Sequence, residues 1–232
     1  FAEAHAYTLL TSKNIDVPVK TSDAFLRKHS QLGDGENSTL ISADAPYFQL
    51  LTHAEPSELA VLDSLSNQLD LTGNTRAKLA RDRSKEIQDQ RKKLADEDKD
   101  KKRTFDSLKR TISNDIRYRW PDLSNILSPG AVKILTDHSD EFVAAVKSHP
   151  KYKEWDQVAK RRNAIQSQRF DLDKTWARHQ RFIRTLENIA LAQNLPEVAG
   201  PPVIERFQKL AAAERRNLQT LPQGQPIAAD TL

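Results

Sequence analysis

Cysteine is missing from all 232 residues, which removes disulfides, thiolate metal sites and cysteine nucleophiles from consideration. Methionine is missing too, although helical cores use it freely. Six glycines are few for a protein built on sheet turns, and no alternating apolar and polar run reads as a strand. No stretch approaches the ~18 consecutive apolar residues of a membrane span, so no transmembrane span is expected. Catalytic signatures are lacking as well. The six histidines, His5, His29, His53, His138, His149 and His179, form no H-E-x-x-H pair, and there is no Gly-x-Ser-x-Gly elbow and no phosphate-binding glycine loop. Asp137-His138-Ser139-Asp140-Glu141 reads as helix capping rather than a metal site. The reading is of a non-enzymatic protein with no catalytic residue, metal or cofactor assigned.

What the chain has in quantity is charge, at 29% of residues, and it is concentrated in two matched stretches, Thr75 to Trp120 and Lys151 to Leu195. In the second, Trp155, Val158, Arg162, Ile165, Arg169, Leu172, Trp176, His179, Ile183, Leu186 and Ala190 recur at alternating steps of three and four, the seam of a helix packed on other helices. Arg162, Arg169 and His179 interrupt the apolar line, which argues against a smooth leucine-zipper dimer. The first stretch carries a leaner stripe of Leu79, Ile87, Leu94, Phe105, Leu108, Ile112, Ile116 and Trp120. Two helices of similar length predict an antiparallel hairpin. Matching their ends places Leu94 beside Ala177 and Leu79 beside Ala190, and sets Phe170, Leu172 and Trp176 against the charged run 95–102. Those apolar residues then need cover, for which the helices within Tyr47 to Leu69 and Val203 to Ala213 are available. The fold class expected is all-α: an elongated, coiled-coil-like helical bundle built on this hairpin, with a small helical cap.

Three regions follow. Residues 1–74 form an acidic helical region. Within it Thr21 or Ser22 can cap a short helix, Gln31 to Thr39 is a loop, and Glu55-Pro56-Ser57-Glu58 opens a helix with proline at its first position. Residues 75–195 form the hairpin, with a cap at 121–150 whose Val132, Leu135, Phe142, Val143 and Val146 face inward. Residues 196–232 comprise a stiff link from Pro196 to Pro202, a helix from Val203 to Leu218 and a disordered tail. The overall charge of +4 hides a division, with four basic residues against ten acidic over 1–75 but sixteen against nine over 76–120. The opposed charges predict mutual neutralisation within the fold or across a dimer. Phe1-Ala2-Glu3-Ala4-His5-Ala6 holds two overlapping Ala-x-Ala patterns of the kind a signal peptidase accepts, so an exported protein, periplasmic or secreted, is the expectation, with a cytoplasmic one as the alternative.

One constellation suggests contact with a partner. Arg117-Tyr118-Arg119-Trp120 ends the first long helix, and Lys151-Tyr152-Lys153-Glu154-Trp155 begins the second; both interleave bases with aromatics near the chain reversal. Lys160-Arg161-Arg162 follows, with Arg169, Lys174, Arg178, Arg181 and Arg184 beyond, the footprint an anion binder would need. Against a functional role, aromatics at helical spacing pack caps, and interspersed Glu154, Asp156, Asp171 and Asp173 make a solvated mixed face. The candidate contact residues are Arg117, Tyr118, Arg119, Trp120, Lys151, Tyr152, Lys153, Trp155, Lys160, Arg161 and Arg162. The expected function is a scaffold, adaptor or chaperone-like protein recognising a protein partner through helix faces, with homo-oligomerisation compatible. The alternative is an anion-binding module contacting nucleic acid or an acidic membrane through the hairpin.

Overall fold

The computed structural model describes residues 1–34 and 39–215; the expected loop positions Gly35, Glu36 and Asn37, the last residues of the helix expected to reach Leu218, and the tail lie outside them. The protein is 79% helical with no strand among the described residues, apart from a single bridge between Gly33 and Ser42. In chain order the helices are α1 (Ala2–Thr11), α2 (Thr21–His29), α3 (Tyr47–Leu50), α4 (Pro56–Gln68), α5 (Arg76–Arg119), α6 (Pro129–Thr136), α7 (Ser139–Ser148), α8 (Tyr152–Val198) and α9 (Pro201–Arg215), with short 3-10 turns at Leu51–His53 and Pro121–Ser124. The two long helices α5 and α8 pack as a hairpin with the small helices around them. No helix among the described residues is long and apolar enough to cross a membrane. The packing divides into two compact units, 1–87 with 174–215 and 88–173.

The first unit holds the larger core. Leu50, Val61, Leu62, Leu65, Leu186 and Ile189 are buried to within 2% of completely, because α4 and the later half of α8 both present apolar residues at helical spacing. α1 packs on α4, and α2 on α9. The start of α4 has the expected proline and also a capping box, the side chains of Glu55 and Glu58 each accepting from the other's backbone N–H. Gly73, at φ 74°, supplies the left-handed backbone that turns the chain into α5, where a β-carbon would be strained. Asn194, 2% exposed, staples the preceding loop. Its amide donates to the carbonyls of Gln31 (3.0 Å) and Ile41 (2.9 Å), and its oxygen accepts from Ile41 N–H (2.8 Å).

Three local expectations are corrected in this unit. Neither Thr21 nor Ser22 caps α2; Lys20 stands at the cap position without a side-chain bond. The Ser22 N–H and hydroxyl instead donate to the carboxylate of Glu214 on α9, so an acid from a distant helix satisfies the positive end of α2. Pro196 does not begin a link, because α8 runs through it to Val198. So near the helix end, the missing N–H removes one bond and the ladder resumes with Ala199 N–H to Leu195. Arg181, expected on a solvated basic face, is 1% exposed. All five of its N–H groups donate to backbone carbonyls of Leu9, Ser12, Asn14 and Asp16, at 2.7 to 3.1 Å.

His179 is the seam histidine and is 3% exposed. Its Nδ1 lies 2.9 Å from the Thr175 carbonyl, which assigns the proton to that nitrogen, and its Nε2 has no partner. Burial first, and the charge of Arg83 after it, hold its pKa below the ordinary 6.5, against the opposing pull of the Thr175 bond. His5 is shifted the same way, chiefly by burial. A neutral histidine buried in the folded state takes up a proton more readily once unfolded, so stability is lost as pH falls through about 6.5 toward the depressed folded value. Asp23 and Glu58, raised by burial, act in the opposite sense at lower pH. His179→Gln is therefore expected to flatten the fall in unfolding free energy between pH 7.5 and 5.5, read by urea denaturation, by up to about 1.4 kcal/mol per pH unit. An unchanged slope would show that His179 titrates alike in both states.

The second unit is thinner. Between 88 and 173 the buried apolar residues among those described are Leu108, Ile112, Ile116, Ala131 and Ile165. Ion pairs supplement them: Arg91 with Asp173 (2.5 Å), Arg161 with Glu97 (2.7 Å) and Arg162 with Asp98 (2.9 Å). These pairs confirm the antiparallel sense and overturn the end-matched register. The charged run 95–102 faces Arg161 and Arg162, not Phe170 and Leu172, a slide of roughly two to three helical turns. The cause is the cap, which folds back along α5: Trp120 meets Phe142 at 6.0 Å between ring centroids, and His149 reaches Asp115 at 2.9 Å. The return helix consequently starts well short of the end of α5, with Trp155 stacked on Phe105 at 5.4 Å.

Candidate functional site

The cap differs from expectation in a way that bears on function. Phe142 and Val146 are half-buried, but Val132, Leu135 and Val143 are exposed, as are Ile126 and Leu127. Helices of 8 and 10 residues laid on the end of one long helix each have a single covered face, and the remaining apolar side chains meet water. Ser128 caps α6 by accepting from Ala131 N–H at 3.1 Å, and Pro129 stands at the first helical position, so the short helix is well started despite its length.

Ile112 and Ile116 are one turn apart on α5, and Phe142 and Val146 one turn apart on α7. With Trp155 from α8, and Lys109 and Ser113 at the rim, they line an open groove of about 230 Å³. Its wall is nearly all hydrocarbon and aromatic. The exception is Trp155, whose Nε1 is buried and donates to no acceptor in the protein.

The eleven candidate contact residues do not converge on one point. Trp155 lines the groove, and Tyr152 supports it from behind with ring centroids 5.7 Å apart. Trp120 packs against Phe142 with the ring planes tilted by 52°, and the Arg119 guanidinium lies 4.5 Å from the Trp120 ring centroid, a cation held over an aromatic face. The two aromatic groups thus sit on separate partners, Trp120 with Phe142 and Trp155 with Phe105. Tyr118 is 91% exposed, its chain neighbour Arg117 is exposed, and so is Lys153 at the start of α8. Lys151 is matched to Glu154 at 3.2 Å.

Lys160, Arg161 and Arg162 form a different kind of surface. Each has an acid of its own chain, Asp156 at 2.6 Å, Glu97 at 2.7 Å and Asp98 at 2.9 Å. The Arg161 fork is bidentate; its hydrogen bond holds the Glu97 carboxyl below its ordinary pKa. Arg162 also lies over the Phe105 ring, 5.5 Å from its centroid. The run is a neutralised, structural face. Periodicity alone missed the pairing of Ile112 and Ile116 with Phe142 and Val146; the signal was present as two i, i+4 apolar pairs, but their meeting depends on the fold-back of the cap.

No three His, Asp or Glu side chains among the described residues are placed to hold a metal ion. The fold and groove define an all-helical protein, over the described residues, with an open apolar cleft bordered by Lys109. Comparison of the chain with models of protein families, with curated proteins and with solved structures finds no match in any of the three.

Proposed function

We propose that the protein is a non-enzymatic helical interaction protein, a scaffold or adaptor, which receives an amphipathic helix of another protein in the groove between α5, α7 and α8. The observation that carries this reading is the groove itself: a concave apolar wall from three helices, left open to water beside the exposed Val132, Leu135 and Val143 of the same cap. Helix-in-groove recognition uses such a surface, with apolar anchors one turn apart entering the cleft. The partner helix is acidic along its flank. Lys109 stands at the rim.

The test uses a 16-residue acidic amphipathic peptide, leucines at i, i+4 and i+7 with glutamates beside them, and its scrambled counterpart. Tryptophan fluorescence of the intact chain reports binding. The amphipathic peptide is expected to bind at least ten-fold tighter than the scrambled one, and Val146→Glu, at a half-buried rim position, to abolish the difference. Equal affinity for both peptides removes the reading. In parallel, titration with duplex DNA, single-stranded DNA and anionic vesicles at two salt concentrations examines the anion-binding alternative, for which affinity must fall steeply with salt.

A further inference from the structure

In the first unit a second concavity, of about 360 Å³, lies among α2, α4, α8 and α9, within the range of small-molecule sites. Its polar lining is unbalanced: Asp23, Glu55, Glu58 and Glu214 bring four carboxyl groups against two fixed cations, Lys20 and Arg215. Arg215 is taken by Glu55 at 2.7 Å, and Glu214 receives the Ser22 N–H and hydroxyl. Glu58 accepts the Glu55 N–H at 3.0 Å, and the ion pairs of Asp23 and Glu58 are both with Lys20, at 3.6 Å and 3.8 Å, longer than a close charge-assisted bond. Asp23 is 5% exposed, and burial raises the pKa of both carboxyl groups.

Asn188 supplies an independent observation. This α8 residue is 9% exposed and lines both this cavity and a small one of about 20 Å³ adjoining it. Its Oδ1 is buried and receives no hydrogen bond. A buried acceptor without a donor is costly, and what it lacks is an N–H or O–H group. The carboxylates outnumber the cations of the lining, four to two, so the two deficits specify one chemical group. Leu26, Ile189 and Phe207 are the larger apolar side chains of the lining.

We propose that this cavity binds an organic ammonium, a primary amine on an aliphatic body, its N–H groups directed to Asn188 Oδ1 and the Asp23 and Glu58 carboxylates and its body laid on Leu26, Ile189 and Phe207. Anions are opposed by the carboxylates, and a neutral alcohol satisfies Asn188 without meeting the charge. The free amine and the lysine side chain of a protein share this chemistry, and the experiment separates them.

The intact chain is titrated by calorimetry with hexylamine, 1-hexanol and Nα-acetyl-lysine amide. Hexylamine is expected to bind at least ten-fold tighter than 1-hexanol, and Asp23→Asn and Asn188→Leu each to weaken it at least ten-fold, with the helical circular dichroism spectrum retained. Should Asp23→Asn fail to fold, Glu58→Gln reads the same interaction from α4. Acetyl-lysine amide tighter than hexylamine assigns the site to a protein's lysine, and the reverse order to a free amine; both support the proposal. Hexylamine no tighter than 1-hexanol, or undiminished by the carboxylate variants, overturns it. Val146→Glu is expected to leave hexylamine affinity unchanged, so this site and the groove succeed or fail separately.

Discussion

Replacing Arg181 with methionine is expected to lower the unfolding free energy by about 3–5 kcal/mol, the cost of leaving several carbonyls of a largely buried network without their donors. Methionine preserves most of the stem's packing, so the loss reports the guanidinium. In the folded protein that group serves four carbonyls of the segment between Leu9 and Asp16, a stretch with little regular structure after α1 ends at Thr11. Those carbonyls cannot pair with one another, and without the guanidinium they must find water or stay unsatisfied. Burial first, then the neighbouring Arg178, pulls the Arg181 pKa below the ordinary guanidinium value. Arg181→Lys is expected to fall between, since an ammonium has three donors where five are in use. Urea denaturation followed by circular dichroism measures all three proteins. A loss under about 1 kcal/mol for Arg181→Met would mean that water replaces the network at almost no cost.

Phe182→Ala is expected to cost a similar amount, about 3–5 kcal/mol, by another mechanism, the loss of a large buried ring and the cavity left behind. Phe182 is 0% exposed and stacks on Tyr47 with centroids 6.3 Å apart and planes 15° from parallel. Tyr47 in turn lies under the Arg76 guanidinium, 4.1 Å from its ring centroid, and its N–H bonds the Asn74 carbonyl at 3.0 Å. The ring therefore joins α8 to α3 and to the start of α5. Phe105→Ala in the second unit, at a half-buried ring, is expected to cost distinctly less, because water already reaches part of the site. Equal losses at the two positions would contradict the contrast in core thickness between the units.

Much of the helical reading was legible because periodicity reports burial directly. Every one of the eleven seam positions of α8, from Trp155 to Ala190, is buried or half-buried, including the polar Arg162, Arg169 and His179. The register was not legible, since it rests on where the cap folds back, and the fold-back depends on contacts such as Trp120 with Phe142 that no spacing within one helix encodes. The role of Arg181 was hidden for a related reason. It sits off the seam among other arginines, and only the path of the N-terminal segment across α8 turns that position inward. The candidate contact residues shared this fate, for Tyr118 stands fully in water while Trp155 lines a groove, although both are aromatics beside bases.

By itself the sequence determined that the chain is helical, that its two charged stretches pair antiparallel, and that proline starts α4. Each of these is decided by interactions within a few residues, or by an apolar stripe repeating along one helix, and local order in the chain carries that information. Only the tertiary structure decided which acid meets which base, which carbonyls Arg181 serves, where the groove opens and which carboxylates share Lys20. Those pairings join residues as much as 192 positions apart, and their free energy depends on distance and water exclusion, quantities that exist only once the helices are packed.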